Sequence, residues 1–427
     1  MHVVISTFGT RGDVQPFIAL ALGLQQAGHH VTLVTSDTFT DWIQAYGVDT
    51  HPVHYNPQEF VEHPGTQAVM KGRGNPIRAF GIMRDVLGRA TGALDELWQV
   101  VQKADFVVQS YGGAGALEAA EKLNLPSAIT HLFPFTPTRA FPSPFLPFGL
   151  SRFSLGAAYN RLTHVAMWRV LWAVVGRPMT GKWRRQLGLR PWRSYGDMYA
   201  HARRLQILTL CAFSPLCFPQ PPDWDETHRL TGYWFLDAPP TWQPAAELLH
   251  FVESGPPPVY IGFGSMNAGD GAKKVRLVLQ ALAISGQRGV VLTGGGGLAR
   301  GPAAANVLYV ENVPHEWLFP QMAVVVHHGG AGSTGAGLRA GVPGIIAPVV
   351  GDQFVWARQV ARLGVGPQSP ALKALTAEKL AAVIRAAVSD PAIRKRAAQL
   401  GDKIRAENGV AQAVEIIERR AAQAGRQ

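Results

Sequence analysis

The sequence predicts an α/β protein made of two doubly wound parallel-sheet domains that face each other across a cleft. With 427 residues the chain is too long for one ordinary core and fits two domains of roughly 200 residues each. Both halves alternate short β-rich segments with longer helical patterns, an order typical of parallel sheets covered by helices. Proline-rich segments separate the two alternating regions, which predicts a domain boundary there.

The composition excludes several classes of protein. Hydrophobic residues make up 47% of the chain and charged residues 16%, so wholesale disorder is excluded. The two cysteines, Cys211 and Cys217, have no second pair at metal-ligand spacing, which excludes zinc-finger and iron–sulfur sites and predicts thiols in a reducing compartment. The net charge of +11 fits nucleic acid, an anionic membrane surface or an anionic substrate, and does not choose among them.

The hydropathy pattern indicates whether the protein is expected in a membrane, outside the cell or in the cytoplasm. No apolar run reaches the roughly 18 to 20 residues that a membrane-spanning helix needs, and the nearest, 166–176, is interrupted by Arg169. No basic segment precedes the first apolar residues, 3–5, so no secretory signal is predicted. We therefore expect a cytoplasmic protein that is soluble or peripherally attached to the inner surface of the membrane.

The first domain is predicted to span residues 1–237. Its buried β-rich runs predict strands, and its broad apolar faces at helical spacing predict helices. The expected strands are 2–7, 30–35, 105–110 and 127–131, and the expected helices are 15–27 and 113–123.

Two segments of this domain depart from the alternation. Residues 133–148 contain five prolines among phenylalanines, which predicts an extended loop that either lines a pocket or packs as irregular coil. Residues 159–175 then predict a basic helix with Trp168 and Trp172 on one side and Arg169 among the polar positions. That helix suits either ordinary core packing or contact with a membrane surface.

A linker is predicted at residues 238–256, and a second domain at 257–427. The C-terminal helices of the second domain could pack back on the first domain. The expected strands are 259–263, 289–293, 307–310, 323–328 and 344–349, and the expected helices are 272–283, 334–340, 354–363 and a helical region over 377–422.

Residues 327–334, His-His-Gly-Gly-Ala-Gly-Ser-Thr, end an apolar strand and open a helix. Glycines let the backbone approach a ligand closely, and exposed amides at a helix start attract phosphate. The alternative is a tight turn with a satisfied histidine. The segment is neither a dinucleotide fingerprint nor a Walker A loop, because the required acidic residue and the Gly-Lys-Ser/Thr are missing.

Further candidates follow other predicted strands. Gly351-Asp352-Gln353 suits the binding of vicinal sugar hydroxyls, and the alternative is that Asp352 is a helix N-cap. In residues 9–16, Gly-Thr-Arg-Gly-Asp-Val-Gln-Pro, Asp13 is either an N-cap or a carboxylate that accepts a proton. The turns at 262–265 and 294–297 also end predicted strands.

Taken together and in order, these motifs resemble the sterol glucosyltransferase branch of the UDP-sugar glycosyltransferases. The resemblance extends through nearly the whole chain, whereas antibiotic and rhamnolipid glycosyltransferases look more distant. It rests on residues 9–16, 138–142, 232–236, 312–319, 327–334 and 351–353. It implies the GT-B fold of two Rossmann-like domains, a UDP-sugar held by the second domain, an acceptor held by the first, and inversion at the anomeric carbon. It implies no metal and no cofactor, since the UDP-sugar is a co-substrate.

The resemblance also assigns residues. Asp13 is expected to be the general base, and the weaker candidates for acceptor contact are His131, Phe135 and Phe141. The expected donor-site residues are Thr10 and Arg11 from the first domain, Asn312 and Val313 beside the uracil, His328, Ala331, Gly332 and Ser333 on the diphosphate, Asp352 and Gln353 on the glucose hydroxyls, and, as a weaker candidate, Ser265.

The function that these expectations favour is metal-independent, inverting transfer of a hexose, with glucose expected, from a UDP-sugar to a hydroxyl of a lipophilic acceptor. A sterol or related polycyclic terpenoid is the expected acceptor, with peripheral membrane contact. The alternatives are a glycosyltransferase for an antibiotic, macrolide or other natural-product aglycone, a UDP-sugar epimerase or hydrolase, and a non-catalytic nucleotide-sugar-binding protein. Nucleic-acid binding is disfavoured, because the basic residues are dispersed and no recognised module interleaves them with stacking aromatics.

Overall fold

A computed structural model describes residues 1–54, 91–111, 113, 115–144, 156–264, 271–293 and 298–424. The chain divides into two compact units, the first made of Met1–Leu236 with Asn408–Gln427 and the second of Asp237–Glu407. Residues 238–256, expected to be a linker, belong to the second unit and include the helix Ala246–Glu253.

The first unit contains a seven-stranded sheet in the order β3–β2–β1–β4–β5–β6–β7, with every neighbouring pair parallel. Its strands are β1 His2–Ser6, β2 His30–Ser36, β3 Asp49–Val53, β4 Phe106–Ser110, β5 Ser127–His131, β6 Leu208–Cys211 and β7 His228–Leu230. The strand order reverses between β1 and β4, which creates a topological switch point at the carboxyl edge of the sheet. Strands β3, β6 and β7 were not predicted from the sequence.

Helices lie on both faces of this sheet. Among the described residues before 205, the helices of the first unit are α1 Arg11–Gln26, α2 Thr40–Gln44, α3 Thr91–Val101, α4 Ala116–Leu123, α5 Ala157–Leu171, α6 Arg177–Gln186 and α7 Tyr195–Arg204, with a 3₁₀ turn at Asp37–Phe39. One face packs on α1 through Phe17 and Leu20, and the other packs on α3 and α4 through Leu97 and Ala119.

The predicted helix at 159–175 differs from the observed one. Helix α5 ends at Leu171, and a π-helical turn at Trp172–Gly176 joins it to α6. A side-chain carbon at Gly176 would lie 2.7 Å from an atom of the Trp172 ring, so the glycine makes room for this indole. Trp168 and Trp172 are buried in an aromatic cluster with Phe135 and Tyr195, so the core-packing alternative is correct for these two indoles.

The second unit contains a five-stranded parallel sheet in the order β10–β9–β8–β11–β12. Its strands are β8 Val259–Gly262, β9 Gly289–Leu292, β10 Val307–Val310, β11 Val324–His327 and β12 Gly344–Ile346. The order reverses between β8 and β11, so this unit has its own switch point. All five strands were predicted, each with ends that differ by at most three residues.

The remaining helices in the described part of the chain are α8 Ala246–Glu253, α9 Gly271–Ser285, α10 His315–Leu318, α11 Ala331–Ala340, α12 Gln353–Arg362, α13 Ala377–Ser389, α14 Pro391–Arg405 and α15 Gly409–Ala424, with 3₁₀ turns at Phe319–Gln321 and Leu372–Ala374. Buried side chains of β8, β11, α9 and α13 form the core on one face of the second sheet. In the described ranges no helix is both long enough and apolar enough to cross a membrane.

The last helix belongs to the first unit. In α15 the side chains of Ala413 and Ile417 are fully buried against the core around α1. Gly409 lies against the backbone of Gly232 and Tyr233, and a side-chain carbon there would collide with these residues. The first unit is therefore completed by a segment that follows the second unit in the sequence.

Candidate active site

The loop between β1 and α1 places Asp13 at the switch point of the first sheet. Helix α1 begins at Arg11, four residues before the predicted start, and Thr10 is its extended N-cap residue. Asp13 is consequently the third residue of the helix and is not the N-cap. The backbone amide and the hydroxyl of Thr10 both donate to Oδ2 of Asp13, at 2.7 and 2.9 Å. The carboxylate thus completes a capping box with Thr10.

The backbone around Asp13 is shaped to hold this carboxyl group. Gly9 has φ of +146°, and a side-chain carbon there would lie only 2.7 Å from Cγ of Asp13. The hydroxyl of Thr7, which is fully buried, donates to the main-chain oxygen of Asp13 at 3.0 Å. A larger residue at position 9 would therefore displace the carboxylate from the loop.

The electrostatic environment makes Asp13 a stronger base than an exposed aspartate. Burial raises the pKa of Asp13 above its usual value, and the two hydrogen bonds from Thr10 partly oppose this rise. Both of those bonds end on Oδ2, and Oδ1 accepts no hydrogen bond from the part of the chain that the structure describes. Oδ1 is therefore the oxygen with which Asp13 can take a proton.

Arg11, the neighbouring donor-site candidate, is exposed at the start of α1. Its guanidinium lies over the ring of Trp42 in α2, 4.3 Å from the centroid, a cation–π contact. Thr10 and Arg11 thus have different local roles, since the first holds the carboxylate and the second packs on α2.

The glycine-rich turn between β11 and α11 lies at the switch point of the second sheet. Helix α11 has Gly330 as its N-cap residue, and no side chain caps it. Its hydrogen-bond ladder begins where the amide of Thr334 donates to the oxygen of Gly330 at 2.9 Å. The amides of Ala331, Gly332 and Ser333 precede that first bond, so they have no acceptor within the helix and suit an anion.

The ring of His328 is wedged between two glycines at this edge. Gly264, in the loop after β8, has φ of +72°, and a side-chain carbon there would lie 2.8 Å from Nδ1 of His328. A side-chain carbon at Gly330 would lie 2.8 Å from Nε2. Burial lowers the pKa of His328 to about 4, so its imidazole is neutral at pH 7 and offers one N–H as a donor.

The next loop carries Asp352 and Gln353. Gln353 is buried, and its Oε1 accepts hydrogen bonds from the amides of Val349 and Val350 at 2.8 and 3.1 Å. This oxygen therefore fixes the loop, and the side-chain nitrogen is the atom left to bind a sugar hydroxyl. Asp352 is the N-cap residue of α12, as that alternative predicted, but its side chain makes no capping hydrogen bond.

Asn312 and Val313 follow β10, at the far end of the same edge. Asn312 is exposed with φ of +53°, and Val313 packs partly against the cluster that contains Leu318. The candidates thus occur in the order β10, β8, β11, β12 along one carboxyl edge. Strands spaced about 4.8 Å apart spread this row over about 19 Å, which suits an elongated ligand. The weaker candidate Ser265 and the turn at 294–297 lie outside the described residues.

The acceptor candidates fall into two places in the first unit. His131 ends β5, is 1% exposed, and receives or gives a hydrogen bond of 2.7 Å through Nε2 to the hydroxyl of Tyr199. Burial lowers the pKa of His131 to about 3, so it is neutral. Phe135 lies 5.2 Å from the His131 ring, whereas Phe141 packs beside Phe218. His131 and Phe135 are thus neighbours, whereas the ring of Phe141 contacts Phe218 and His164.

Sequence reasoning missed Tyr111, which directly follows β4 on the other side of the switch point from β1. Its ring is half-buried and lies 4.3 Å from Phe135 and 5.9 Å from Phe133. The available signal was its position at the end of a predicted strand next to β1. Residues 145–148 of the predicted aromatic loop lie outside the described residues.

Sequence reasoning also missed a buried ion pair behind this region. Arg184 of α6 is 1% exposed and binds both carboxylate oxygens of Glu121 at 2.7 and 3.0 Å, while its guanidinium lies 3.8 Å from the Trp192 ring centroid. Glu118, one turn earlier in α4, is also buried, which raises its pKa to about 7. Within the described ranges no group of three or more His, Cys, Asp or Glu residues could hold a metal ion.

Comparison with known protein families matches both units. Residues 3–142 match the glycosyltransferase family 28 N-terminal domain, and residues 295–419 match the erythromycin biosynthesis protein CIII-like C-terminal domain. Each match contains its own switch-point candidates, Asp13 in the first and the row of residues from 312 to 353 in the second.

Two curated relatives have similar sequences over 98% of this chain. A sterol 3-beta-glucosyltransferase of Arabidopsis thaliana is 34% identical, and the match covers 68% of its length. A sterol 3-beta-glucosyltransferase of Neurospora crassa is 35% identical, and the match covers 27% of its length. The chain thus spans about two thirds of the plant relative and about a quarter of the fungal one.

A crystal structure of the glycosyltransferase of kitacinnamycin has a similar fold. It aligns with a TM-score of 0.70 at 21% identity and covers 98% of each chain. The likeness, together with the two parallel sheets, confirms the predicted GT-B fold of two doubly wound α/β domains.

Proposed function

This chain belongs to the sterol 3-beta-glucosyltransferase family of glycosyltransferases, and on that premise we propose that it transfers glucose from UDP-glucose to the hydroxyl of a sterol. The observation that carries the proposal is the enclosed carboxylate of Asp13, placed at the switch point of the first sheet and held by Thr10. A carboxylate in that position can accept the proton that a sterol hydroxyl loses when it attacks a sugar.

The proposed donor site follows the carboxyl edge of the second sheet. The order of the candidates along that edge is the order of the parts of a nucleotide sugar, with Asn312 and Val313 at the base, His328 at the diphosphate and Asp352 with Gln353 at the sugar. The support for the diphosphate assignment is the uncapped start of α11, whose first amides suit an anion. The neutral His328 adds a hydrogen bond without needing a positive charge.

The proposed acceptor site lies in the first unit. Tyr111 and Phe133 present half-buried rings after β4 and β5, close to the edge where β1 leads to Asp13. Flat aromatic rings favour a rigid, apolar, polycyclic acceptor over a flexible polar one. His131 and Phe135 lie behind this surface and support it, because both are almost fully buried.

The proposed reaction is a single displacement with inversion. The sterol oxygen attacks the anomeric carbon and forms the new C–O bond, while the bond from that carbon to the diphosphate oxygen breaks and its electron pair leaves with UDP. Oδ1 of Asp13 takes the hydroxyl proton. The amides of Ala331 to Ser333 and the His328 N–H stabilise the charge that develops on the diphosphate, so the proposed mechanism requires no metal.

The experiment that tests the proposal measures UDP release from UDP-glucose by the purified protein in the presence of EDTA. Sterols, hopanoids, phenolics and macrolides are supplied in separate reactions, and mass spectrometry checks each for a hexose adduct. We expect a hexose adduct with sterols, with β configuration at the anomeric carbon when the donor is the α anomer.

Other outcomes separate the alternatives. Adducts with macrolides or phenolics and none with sterols would replace the sterol by a natural-product aglycone. Loss of UDP-glucose without any adduct would indicate hydrolysis or epimerisation. Loss of transfer in EDTA that is restored by a divalent cation would overturn metal independence while leaving the acceptor assignment intact.

A further inference from the structure

Phe141 lies apart from the aromatic residues of the proposed acceptor surface. Its ring is half-buried and packs 5.9 Å from Phe218, which in turn packs 6.0 Å from Phe213, two residues after β6. Phe133, by contrast, is two residues after β5. Because β6 lies beside β5 on the side away from β1, Phe141 is one strand farther from Asp13 than Phe133 is.

The candidates of the first unit therefore form one row along the carboxyl edge of its sheet. Asp13 follows β1, Tyr111 follows β4 and Phe133 follows β5. Phe141 packs on the loop after β6 and ends the row. Three spacings of about 4.8 Å between neighbouring strands put the two ends of the row about 14 Å apart. The row thus begins at the proposed general base and ends at an apolar ring.

Helix α5 holds the main chain around Phe141. The side-chain amide of Asn160 donates to the main-chain oxygen of Arg139 at 2.9 Å. Nε2 of His164 donates to the main-chain oxygen of Phe141 at 3.0 Å. Asn160 and His164 are both almost fully buried, so water does not compete for these bonds.

Further side chains hold the two ends of the same segment. The carboxylate of Asp223 accepts from the hydroxyl of Thr138 at 2.6 Å and from the amide of Arg139 at 2.9 Å. The buried hydroxyl of Thr163 accepts from the amide of Ser143 at 2.9 Å. The segment is thus ordered before an acceptor arrives, which reduces the entropy that binding costs.

We propose that Phe141 contacts the hydrocarbon tail of the acceptor and makes the enzyme selective for acceptors that have one. The inference rests on the proposed transfer of glucose to a sterol. In a sterol the reacting hydroxyl and the hydrocarbon tail are at opposite ends of a rigid ring system, as Asp13 and Phe141 are at opposite ends of the row. An apolar tail gains free energy when it covers a half-exposed phenyl ring.

The way in which Phe141 is positioned distinguishes it from a core residue. Phe135 is 2% exposed and is positioned by burial of its ring, whereas Phe141 leaves part of its ring in solvent. The bonds from Asn160 and His164 end on main-chain oxygens, so they do not depend on the Phe141 side chain. Removal of the ring is therefore expected to leave the segment in place.

The test compares two acceptors that differ in the tail. Cholesterol has a hydrocarbon tail, and dehydroepiandrosterone has the same rings and the same hydroxyl with a ketone oxygen in place of the tail. Both are supplied in cyclodextrin with UDP-glucose, and kcat/KM is measured for the unaltered chain and for Phe141→Ala. We expect the variant to lose about 10- to 100-fold with cholesterol, through a higher KM, and to stay within about threefold with dehydroepiandrosterone. Equal losses with both acceptors, or no loss with either, would overturn the role of Phe141.

Two further variants serve as controls. Phe141→Leu keeps an apolar contact and is expected to stay within about threefold of the unaltered chain with both acceptors. Phe251, on α8 of the second unit, is also a half-buried phenylalanine. Phe251→Ala is expected to change kcat/KM for the two acceptors by the same factor. A selective loss with cholesterol in Phe251→Ala would attribute the effect to general destabilisation and overturn the proposal.

Binding measurements separate this inference from the proposed reaction. Tryptophan fluorescence reports the Kd of each steroid in the absence of UDP-glucose. Tighter binding of cholesterol that Phe141→Ala abolishes would support the tail contact, and the proposed transfer alone would fail if no glucosyl adduct formed. Glucosyl adducts on both steroids without a tail preference would retain the proposed function and overturn the inference. Binding of neither steroid would overturn both.

Discussion

Helices α1 and α11, which follow the switch-point strands of the first and the second sheet, begin in opposite ways. In the first unit the start of α1 is capped by its own sequence, because Asp13 accepts two hydrogen bonds from Thr10. In the second unit the start of α11 has a glycine cap and no side-chain cap. Both helices follow a strand at a switch point, so topology alone does not determine what each edge binds.

The difference shows how one architecture supports two kinds of chemistry. A carboxylate at a helix start occupies the positive end of the helix dipole and leaves little there for a phosphate. A bare glycine start leaves its amides available to an external anion. The capped start therefore suits a proton acceptor, and the uncapped start suits a leaving group that gains negative charge.

The largest effect is expected from Asp13→Asn. The amide keeps an oxygen that can accept from Thr10, so the fold is retained, while the proton acceptor is lost. We expect kcat to fall by about 10² to 10⁴, the usual contribution of a general base, with UDP affinity unchanged. Steady-state kinetics and calorimetric UDP titration measure the two quantities.

The matched control for that variant is Asp197→Asn. Asp197 is also the third residue of a helix, α7, and its carboxylate also accepts a backbone hydrogen bond at 2.9 Å. Loss of the Asp197 carboxylate is expected to leave kcat within about twofold, because Asp197 is not a candidate general base, and only the loss of a general base has a far larger effect. A kcat that survives Asp13→Asn would mean that Asp13 is only a capping residue.

A smaller effect, on the uncapped side, is expected from Gly264→Ala. The new side-chain carbon would collide with the His328 ring and displace its N–H from the diphosphate candidate site. We expect UDP to bind about 10- to 100-fold more weakly, the cost of losing a hydrogen bond to a charged group.

Gly286→Ala separates this effect from backbone strain. Gly286 also has a left-handed φ, +68°, but no atom lies within 4 Å of a side-chain carbon placed there. This control is expected to lose stability to a similar degree while it keeps UDP affinity. If both alanine variants weakened UDP binding equally, the His328 wedge would have no specific role.

The smallest effect is expected from Thr10→Ala. Loss of the hydroxyl donor removes one hydrogen bond to the ionised carboxylate, so the pKa of Asp13 rises further above its ordinary value. The acid limb of kcat/KM, which requires ionised Asp13, is expected to move to higher pH. In this variant the folded state binds the Asp13 proton more tightly than the unfolded state does. The free energy of unfolding therefore falls as the pH rises from near the ordinary pKa of 3.8 to the raised pKa of folded Asp13, and this window is wider than in the unaltered chain.

Thr376→Ala is the control for the lost cap. Thr376 caps α13 in the second unit, where its hydroxyl accepts from the amide of Lys379 at 3.3 Å. Each cap removal is expected to cost about 1 kcal/mol of stability. Chemical denaturation and the pH profile of kcat/KM distinguish the two, since only Thr10→Ala is expected to shift the acid limb.

Much of the fold could be predicted because parallel strands buried on both faces have continuous apolar sequences. The runs around Val4, Val107 and Val325 are of this kind. Strands β6 and β7 are only four and three residues long, and β7 begins with a partly polar sequence, so no periodic signal identified them. The boundary of α1 was misjudged because Pro16 lies inside its second turn, where proline seldom occurs.

The site shows the same division between local and non-local information. Asp13, His328 and Asp352 follow strands in the sequence, and strand ends of a parallel sheet meet at one edge, so their grouping within each sheet was predictable. The roles of Gly264 and of the Gln353 oxygen were not, since each depends on a partner brought close only by folding. The bond between Arg184 and Glu121 joins residues 63 positions apart and left no local signal.

Because α15 belongs to the first unit, the sequences of the two units become complete in a fixed order during synthesis. The second unit has its whole sequence once Glu407 is made, whereas the core around α1 still lacks Ala413 and Ile417. The unit that begins the chain is therefore the last to close on the ribosome. Until then the α1 side of its sheet is an incomplete apolar face.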